Sequence, residues 1–247
     1  MSGIVAIVPL RDGTSGKTRL AKSFSVEDRT RLIAAMARHV VRALAASGKI
    51  ETILVVTRDP DVVRQALGVD GESVQFSHQS EDVIGLNGAL ELGRRWAIAE
   101  GASGVLIAPA DLPLLSAEDV RILVARSDSI VIAPDRRRSG TNALFLPIER
   151  TSGPFPSEDH QFVFQFGEGS YAAHIAEGVR LGKDGVTLIL DGTELDLDTI
   201  DDWQSLPASA RAALGIALTN PCELETTQDL YSCVVEPNKR TAMFPWS

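Results

Sequence analysis

The chain of 247 residues carries 24 Lys and Arg against 33 Asp and Glu, a formal charge of −9, with 44% hydrophobic and only 5% aromatic residues. That balance excludes a general nucleic-acid or anionic-membrane surface, so any anionic ligand must find a local basic cluster. No apolar run approaches membrane-spanning length, and Met1-Ser2-Gly3-Ile4 is too short and uncharged for a signal peptide, which predicts a cytoplasmic α/β protein.

Ile4-Val5-Ala6-Ile7-Val8-Pro9 reads as a short buried strand and runs into Leu10-Arg11-Asp12-Gly13-Thr14-Ser15-Gly16-Lys17-Thr18-Arg19-Leu20. A strand followed by a Gly-rich basic loop suits a phosphate: backbone N–H groups can approach the oxygens, and Arg11, Lys17 and Arg19 add charge. Gly16-Lys17-Thr18 invites a P-loop reading, but that motif needs glycine where Arg11 stands, and it runs straight into a helix. Here the helix is predicted only from Ser25, an N-cap with Glu27 and Asp28 in the first turn. The plain alternative is an exposed, solvated loop. Leu32, Met36, Val40 and Leu44 recur at helical spacing until Gly48, with His39 beside the stripe at the surface. The strand Thr52-Ile53-Leu54-Val55-Val56, a short helix around residues 61–67 and the strand Val74-Gln75-Phe76 follow, and this alternation predicts a mostly parallel sheet.

Residues 80–90 form a polar loop opening onto a helix that runs to about Glu100, with Trp96 as packing. Asn87 could bond a nucleobase edge or a ribose, but spacing alone favours the plainer reading, in which Asn87 and Gly88 only shape the helix entry. The stretch Gly104-Val105-Leu106-Ile107-Ala108-Pro109-Ala110-Asp111-Leu112-Pro113-Leu114-Leu115 reads as a central strand covered on both faces and stopped by its prolines. Asp111 is then a carboxylate at a strand's carboxyl end, where open α/β sheets bind ligands and where a divalent metal can be held against phosphate. The competing reading makes Asp111 a cap for the helix starting near Ser116, with Asp119 as that helix's capping partner.

The strand Ser129-Ile130-Val131-Ile132-Ala133-Pro134 precedes Asp135-Arg136-Arg137-Arg138-Ser139-Gly140-Thr141-Asn142, a second place for an anion unless the arginines are simply solvated. Ala143-Leu144-Phe145-Leu146-Pro147 resumes as a strand. Residues 151–165, with His160, are a long irregular excursion. Phe166-Gly167-Glu168-Gly169-Ser170-Tyr171 opens a helix whose start again suits an oxyanion, while His174 one turn further reads as a packed or capping histidine. Val186-Thr187-Leu188-Ile189-Leu190 is the last clear strand. Asp196 and Asp198 alternate on an extended segment and so face one side, whereas Asp201 and Asp202 belong to a first helical turn behind the N-cap Thr199. Residues 219–247 lose periodicity and read as a tail or arm; its Cys222 and Cys233 are expected to be reduced thiols, with a bridge between them left open.

Six short motifs in order carry a resemblance. They are Val8-Pro9 with Gly16-Lys17-Thr18-Arg19-Leu20-Ala21, Gly85-Leu86-Asn87, Ala110-Asp111-Leu112-Pro113, Ser139-Gly140-Thr141-Asn142-Ala143-Leu144, Phe166-Gly167-Glu168-Gly169-Ser170 and Asp196-Leu197-Asp198-Thr199. Residues 4–205 resemble the guanylyltransferases that activate a three-carbon phospho-acid in coenzyme F-420 biosynthesis: the 2-phospho-L-lactate, phosphoenolpyruvate and 3-phospho-D-glycerate enzymes. Ile200 departs from the family's usual proline. The resemblance implies an α/β fold, a single nucleotide-diphospho-sugar-transferase-like three-layer sandwich with a mixed, mainly parallel sheet over residues 1–218. It implies Mg²⁺-dependent transfer of GMP from GTP to the acid's phosphate, with pyrophosphate leaving. Lys17, Arg19 and Asp111 would be catalytic, and Asp111 and Asp198 metal ligands with Asp196 as helper or alternative. Arg11, Lys17, Gly85, Leu86 and Asn87 would hold GTP, with Arg11, Lys17 and Arg19 on its phosphates. Thr141, Gly167 and Ser170 would hold the phospho-acid. No general base is required, since the attacking phosphate is already ionised.

Implied partners are GTP, the acid and the downstream enzyme that takes an unstable product; a homodimer could use the 151–165 excursion or the tail. Two other functions share parts of the pattern. Molybdopterin or nucleotide-sugar nucleotidyltransferases carry a longer glycine-rich opening loop and lack the Gly-Thr-Asn and Phe-Gly-x-Gly-Ser pair. A nucleotide-sensing module need not keep Lys17, Asp111 and Asp198 together.

Overall fold

The computed structural model describes residues 3–10, 17–69, 71, 73–148, 161–183 and 185–216. Expectations for Arg11, for residues 151–160 with His160, and for the 219–247 tail with Cys222 and Cys233 lie outside that set. The strands are β1 (Ile4–Pro9), β2 (Ile50–Thr57), β3 (Val74–His78), β4 (Gly104–Ile107), β5 (Ile130–Pro134), β6 (Thr141–Pro147) and β7 (Gly185–Thr187). They make one sheet in the order β3-β2-β1-β4-β6-β5-β7. Four of the six pairings are parallel; β6 alone runs against its neighbours, because the turn after Pro134 folds it back as a hairpin onto β5 and in beside β4. The sheet is therefore mixed and mainly parallel, as expected.

Alternate strand residues pack on opposite faces, the period-two rule that fixes which side chains each layer sees. Ala6, Val8, Ile53, Val55, Leu106 and Phe145 meet α1 (Val26–Ala46), α2 (Pro60–Leu67) and α4 (Ala117–Leu123). Val5, Ile7, Leu54, Val105, Ile107 and Leu144 meet α3 (Gly85–Ala99) and α5 (Ser170–Arg180). A third cluster, Leu20, Phe24, Leu32, Met36, Leu197 and Trp203, packs the turn after Lys17 against α6 (Ile200–Ser205) and the segment before it. The short α7 (Ala208–Leu214) closes this corner through Leu214.

The N-cap expectations hold: Ser25 accepts from the Asp28 N–H, and Ser116 and Thr199 form capping boxes with Asp119 and Asp202. Helix α3 begins at Gly85, so Gly85-Leu86-Asn87 are its first turn rather than part of the loop. The last strand is shorter than predicted and stops at Thr187, because a turn at residues 190–193 draws the chain away. Among the described residues, no helix is long and apolar enough to cross a membrane.

Candidate active site

The site forms where three separate pieces of chain are tied at the carboxyl end of β4. Strand β4 stops at Ile107, and Pro109 turns the chain so that Asp111 lies four residues beyond it, outside the sheet. The Leu197 N–H donates to the Asp111 carbonyl at 3.1 Å, which draws the 195–198 segment alongside. Leu197 is wholly buried in the third cluster, so Asp196 and Asp198 on either side of it face the opposite way, as their alternation predicted. Lys17 is held in a left-handed conformation (φ 54°) at the head of a short 3-10 turn, Thr18–Leu20, whose Leu20 is wholly buried. Its Nζ donates to Asp111 Oδ2 at 2.7 Å and to Asp198 Oδ1 at 2.5 Å.

One ammonium thus sits between two carboxylates while a third, Asp196, stands near them. Burial works against the Lys17 charge, but the charges of Asp111 and Asp198 outweigh it and raise the ammonium above its ordinary value. Burial pushes the Asp196 carboxyl up, and the negative charges of Asp111 and Asp198 push it further. The corner therefore holds more negative charge than Lys17 neutralises. Among the described residues no three Asp, Glu, His or Cys side chains converge as a metal cage. Mg²⁺ does not need one: it binds through one or two carboxylates and completes its shell with waters and substrate phosphates. The all-oxygen donor set and the place Lys17 occupies between the two carboxylates fit such an ion.

A cavity of about 300 Å³ opens beside this corner, lined by Pro9, Leu10, Lys17, Asp111 and Asp198 at one end and by Gln79, Gly85, Leu86 and Ala89 at the other. That is at the small end of ligand sites, roughly 300–1,000 Å³. Gly85 takes φ 74°, a left-handed value that costs glycine little and lets α3 start at the cavity wall. Gln79 donates both hydrogens of Nε2, to the carbonyls of Val83 (2.8 Å) and Gly85 (3.0 Å). The amide orientation is fixed by these bonds, and its Oε1 has no partner among the described residues. Asn87 does not line the cavity; its amide is bonded at both ends to Phe166, Nδ2 to the carbonyl at 3.2 Å and Oδ1 from the N–H at 2.8 Å. Arg19 is exposed on the 3-10 turn after Lys17.

The residues expected to hold the acid form a second cluster. Strand β6 runs antiparallel to β4 with Leu144 opposite Ile107, which carries its first residues to the same end of the sheet as Asp111. Asn142 links the clusters: its Nδ2 donates to the Thr193 carbonyl at 2.8 Å and lies 3.5 Å from Asp196 Oδ1. Ser170 Oγ accepts from the Thr141 N–H at 2.8 Å, Thr141 Oγ1 meets His174 Nδ1 at 2.9 Å, and the Gln165 N–H donates to His174 Nε2 at 3.1 Å. Thr141, Ser170 and His174 are buried, and Gly167 is exposed at φ 136° just before α5. Burial pushes the His174 ring down to about 4, against the opposing charge of Glu177.

Of the three consecutive arginines, Arg136 pairs with Asp202 at 2.6 Å and so braces α6, while Arg137 and Arg138 lie exposed. Arg136 is thus committed within the fold, because the hairpin turn brings it over the start of α6. Gln79 stands at the cavity although sequence reading did not single it out, and His174, expected to be packed or capping, is packed and also bonds Thr141. Gln79 had no signal beyond its place after β3. His174 had one: four residues after Ser170, it lies on the same face of α5.

Residues 4–203 match the sequence model of the family described as "Guanylyl transferase CofC like". The chain is 37% identical over 211 residues to a phosphoenolpyruvate guanylyltransferase of Rubrobacter xylanophilus, covering 83% of this chain and 94% of that one. It is 31% identical over 200 residues to a 2-phospho-L-lactate guanylyltransferase of Methanothermobacter thermautotrophicus, covering 80% and 81%. A solved structure described as a nucleotide-diphospho-sugar transferase, from Desulfovibrio desulfuricans G20, superposes with a TM-score of 0.68 at 15% identity, covering 87% of this chain and 95% of that one. A nucleotidyl transferase from Methanothermobacter superposes with a TM-score of 0.56 at 17% identity, covering 87% and 98%. These two share the fold. With its ordered motifs gathered at one end of the sheet and its match running through nearly all of the described chain, the protein belongs to the CofC-like guanylyl transferase family.

Proposed function

We propose that this protein transfers GMP from GTP to the phosphate of a three-carbon phospho-acid, releasing pyrophosphate, as a step of coenzyme F-420 biosynthesis. The observation that carries the reading is Lys17 bridging Asp111 and Asp198 at the mouth of the cavity that opens beneath α3. GTP lies along that cavity, its base toward Gly85 and Leu86 and its phosphates toward Lys17, with Arg11 and Arg19 adding positive charge. Asn87 supports the base end from behind, by fixing the first turn of α3. The free Oε1 of Gln79 is an acceptor, matching the N1–H and N2–H donors on a guanine edge. The acid lies toward Thr141, Gly167 and Ser170.

In the reaction an oxygen of the acid's phosphate attacks the α-phosphorus of GTP, forming one P–O bond. The bond from that phosphorus to the bridging oxygen breaks, and pyrophosphate leaves with the electron pair. Positioning and charge neutralisation dominate such transfers. Asp111 and Asp198 would hold Mg²⁺, with Asp196 assisting, and the bound ion supplies charge neutralisation on the phosphate oxygens. Lys17 neutralises the leaving pyrophosphate. No residue need remove a proton, since the attacking phosphate is ionised at neutral pH.

The test is purified protein with GTP, Mg²⁺ and phosphoenolpyruvate, 3-phospho-D-glycerate or 2-phospho-L-lactate in turn, with pyrophosphate followed. Release with one of the acids, abolished by chelating the metal, is expected. Absence of release with all three, even with the downstream enzyme drawing off the product, refutes the assignment. In this reading the enzyme works in the cytoplasm, and sedimentation of the purified protein decides whether it acts as a homodimer.

A further inference from the structure

Behind Thr141 runs a hydrogen-bond chain whose direction is set at its far end. The backbone N–H of Gln165 can only donate, and it faces His174 Nε2 at 3.1 Å. Nε2 therefore carries no hydrogen, and the neutral ring holds its proton on Nδ1. That Nδ1–H faces Thr141 Oγ1 at 2.9 Å, so the threonine oxygen accepts. Among the described residues Thr141 Oγ1 has no other partner, which leaves its own hydrogen to be donated away from His174. Ser170 repeats the polarity: its Oγ accepts the Thr141 N–H at 2.8 Å, leaving its hydroxyl hydrogen free to point elsewhere. The imidazole is wholly buried, with its centroid 5.5 Å from that of Phe162 and 4.8 Å from that of Phe166, so packing holds the ring as well as the hydrogen bonds.

We infer that His174 is a positioning residue that makes the Thr141 hydroxyl a fixed donor toward an anionic oxygen of the phospho-acid. This rests on the reading of Thr141 as an acid contact. The relay runs Gln165 N–H, His174, Thr141 O–H, ligand, and every member donates forward. A carboxylate or phosphate oxygen completes it. A ligand group that presents a hydrogen at that point meets another hydrogen, so the relay selects for an acceptor rather than merely for size.

Two variants separate the halves of the relay. His174→Gln keeps an acceptor near the place of Nε2 and removes the Nδ1–H; His174→Asn keeps an N–H near Nδ1 and removes the Nε2 acceptor. With the most active of the three acids, His174→Gln raises KM for the acid on the order of tenfold and leaves KM for GTP unchanged. His174→Asn stays near the wild-type acid KM although it loses a comparable amount of thermal stability. Thr141→Val produces the same acid KM rise as His174→Gln, and the double variant adds nothing further. Equal acid KM effects in the two His174 variants, or none in His174→Gln while Thr141→Val has one, overturn the inference. An unchanged acid KM in Thr141→Val instead means that the acid-contact reading itself fails. Should neither His174 variant be recovered folded, ¹⁵N spectra of the wild-type imidazole decide the matter: protonated Nδ1 with bare Nε2 supports the relay, and a hydrogen on Nε2 overturns it.

Discussion

The two clusters at the end of the sheet are built on opposite principles. Around Lys17 the partners are charged: two carboxylates, Asp111 and Asp198, hold one ammonium, and nearby Asp196 is held above its ordinary range by burial and by its acidic neighbours. Around His174 the partners are neutral and buried, and the direction of each hydrogen bond dictates the next. The first cluster has charge left to neutralise, so it suits a group that must exchange Lys17 for a metal ion and phosphates. The second is complete except for the hydrogens of Thr141 and Ser170, so it suits holding a substrate in one orientation. On the proposed reading, chemistry and positioning are divided between the loop after β4 and the segment before α6 on one side, and α5 on the other.

That division can be broken most sharply at Asp111. Asp111→Asn keeps the shape and removes a negative charge, and turnover should fall by at least on the order of 10³-fold with an unchanged circular dichroism spectrum. Near-normal turnover would show that the charged cluster is not the catalytic one. Lys17→Met should separate two quantities that normally move together. With the ammonium gone from between Asp111 and Asp198, the free protein should bind Mn²⁺ more tightly, measured by titration, while turnover falls by about 10²-fold or more. If affinity and turnover both fall, Lys17 and the metal do not share a place.

The neutral cluster should reveal itself through stability. His174 titrates at about 4 when folded and at 6.5 as a free group, so between those values the unfolded chain binds the extra proton. Stability therefore rises with pH across that window, and the contribution is lost as pH falls from 6.5 towards 4. The difference corresponds to up to ~3 kcal/mol. Urea unfolding at several pH values should show this slope in the wild type and a shallower one in His174→Gln; identical slopes would mean that the ring is not buried neutral. The smallest effect is expected at the base end of the cavity. Gln79→Leu should raise KM for GTP roughly tenfold, the loss of about one hydrogen bond, and narrow the preference for GTP over ATP. An unchanged GTP-to-ATP ratio would show that Gln79 does not read the base.

Much of this was legible before any coordinates. The strand patterns, the Ser25, Ser116 and Thr199 caps and the end of the long helix at Gly48 all follow from local rules, and the structure places them where those rules predict, save that the last strand stops at Thr187. The alternation of Asp196 and Asp198 around Leu197 also announced that both carboxylates face one way. Asn87 was harder, since its spacing favoured shaping the helix entry while the resemblance put it on the nucleotide. Its bonds to Phe166 span 79 residues, and no local pattern could report them. The arginine triplet shows the same limit from the other side: Arg136 is committed to Asp202, 66 residues away, because the hairpin turn lies over α6.

The sequence by itself determined the elements, their order and the carboxylates and cations available, because helix periodicity, strand alternation and capping act over a few residues. Only the tertiary structure decided which of them meet. Lys17 reaches Asp111 and Asp198 across 94 and 181 residues, and His174 reaches Thr141 across 33. Such contacts are set by sheet order, by the reversal of β6 and by the buried side chains of Leu20 and Leu197 that anchor the loops. The direction of the hydrogen bonds through His174 is likewise a property of packing: a ring chooses its tautomer only when a backbone N–H has been brought against one of its nitrogens.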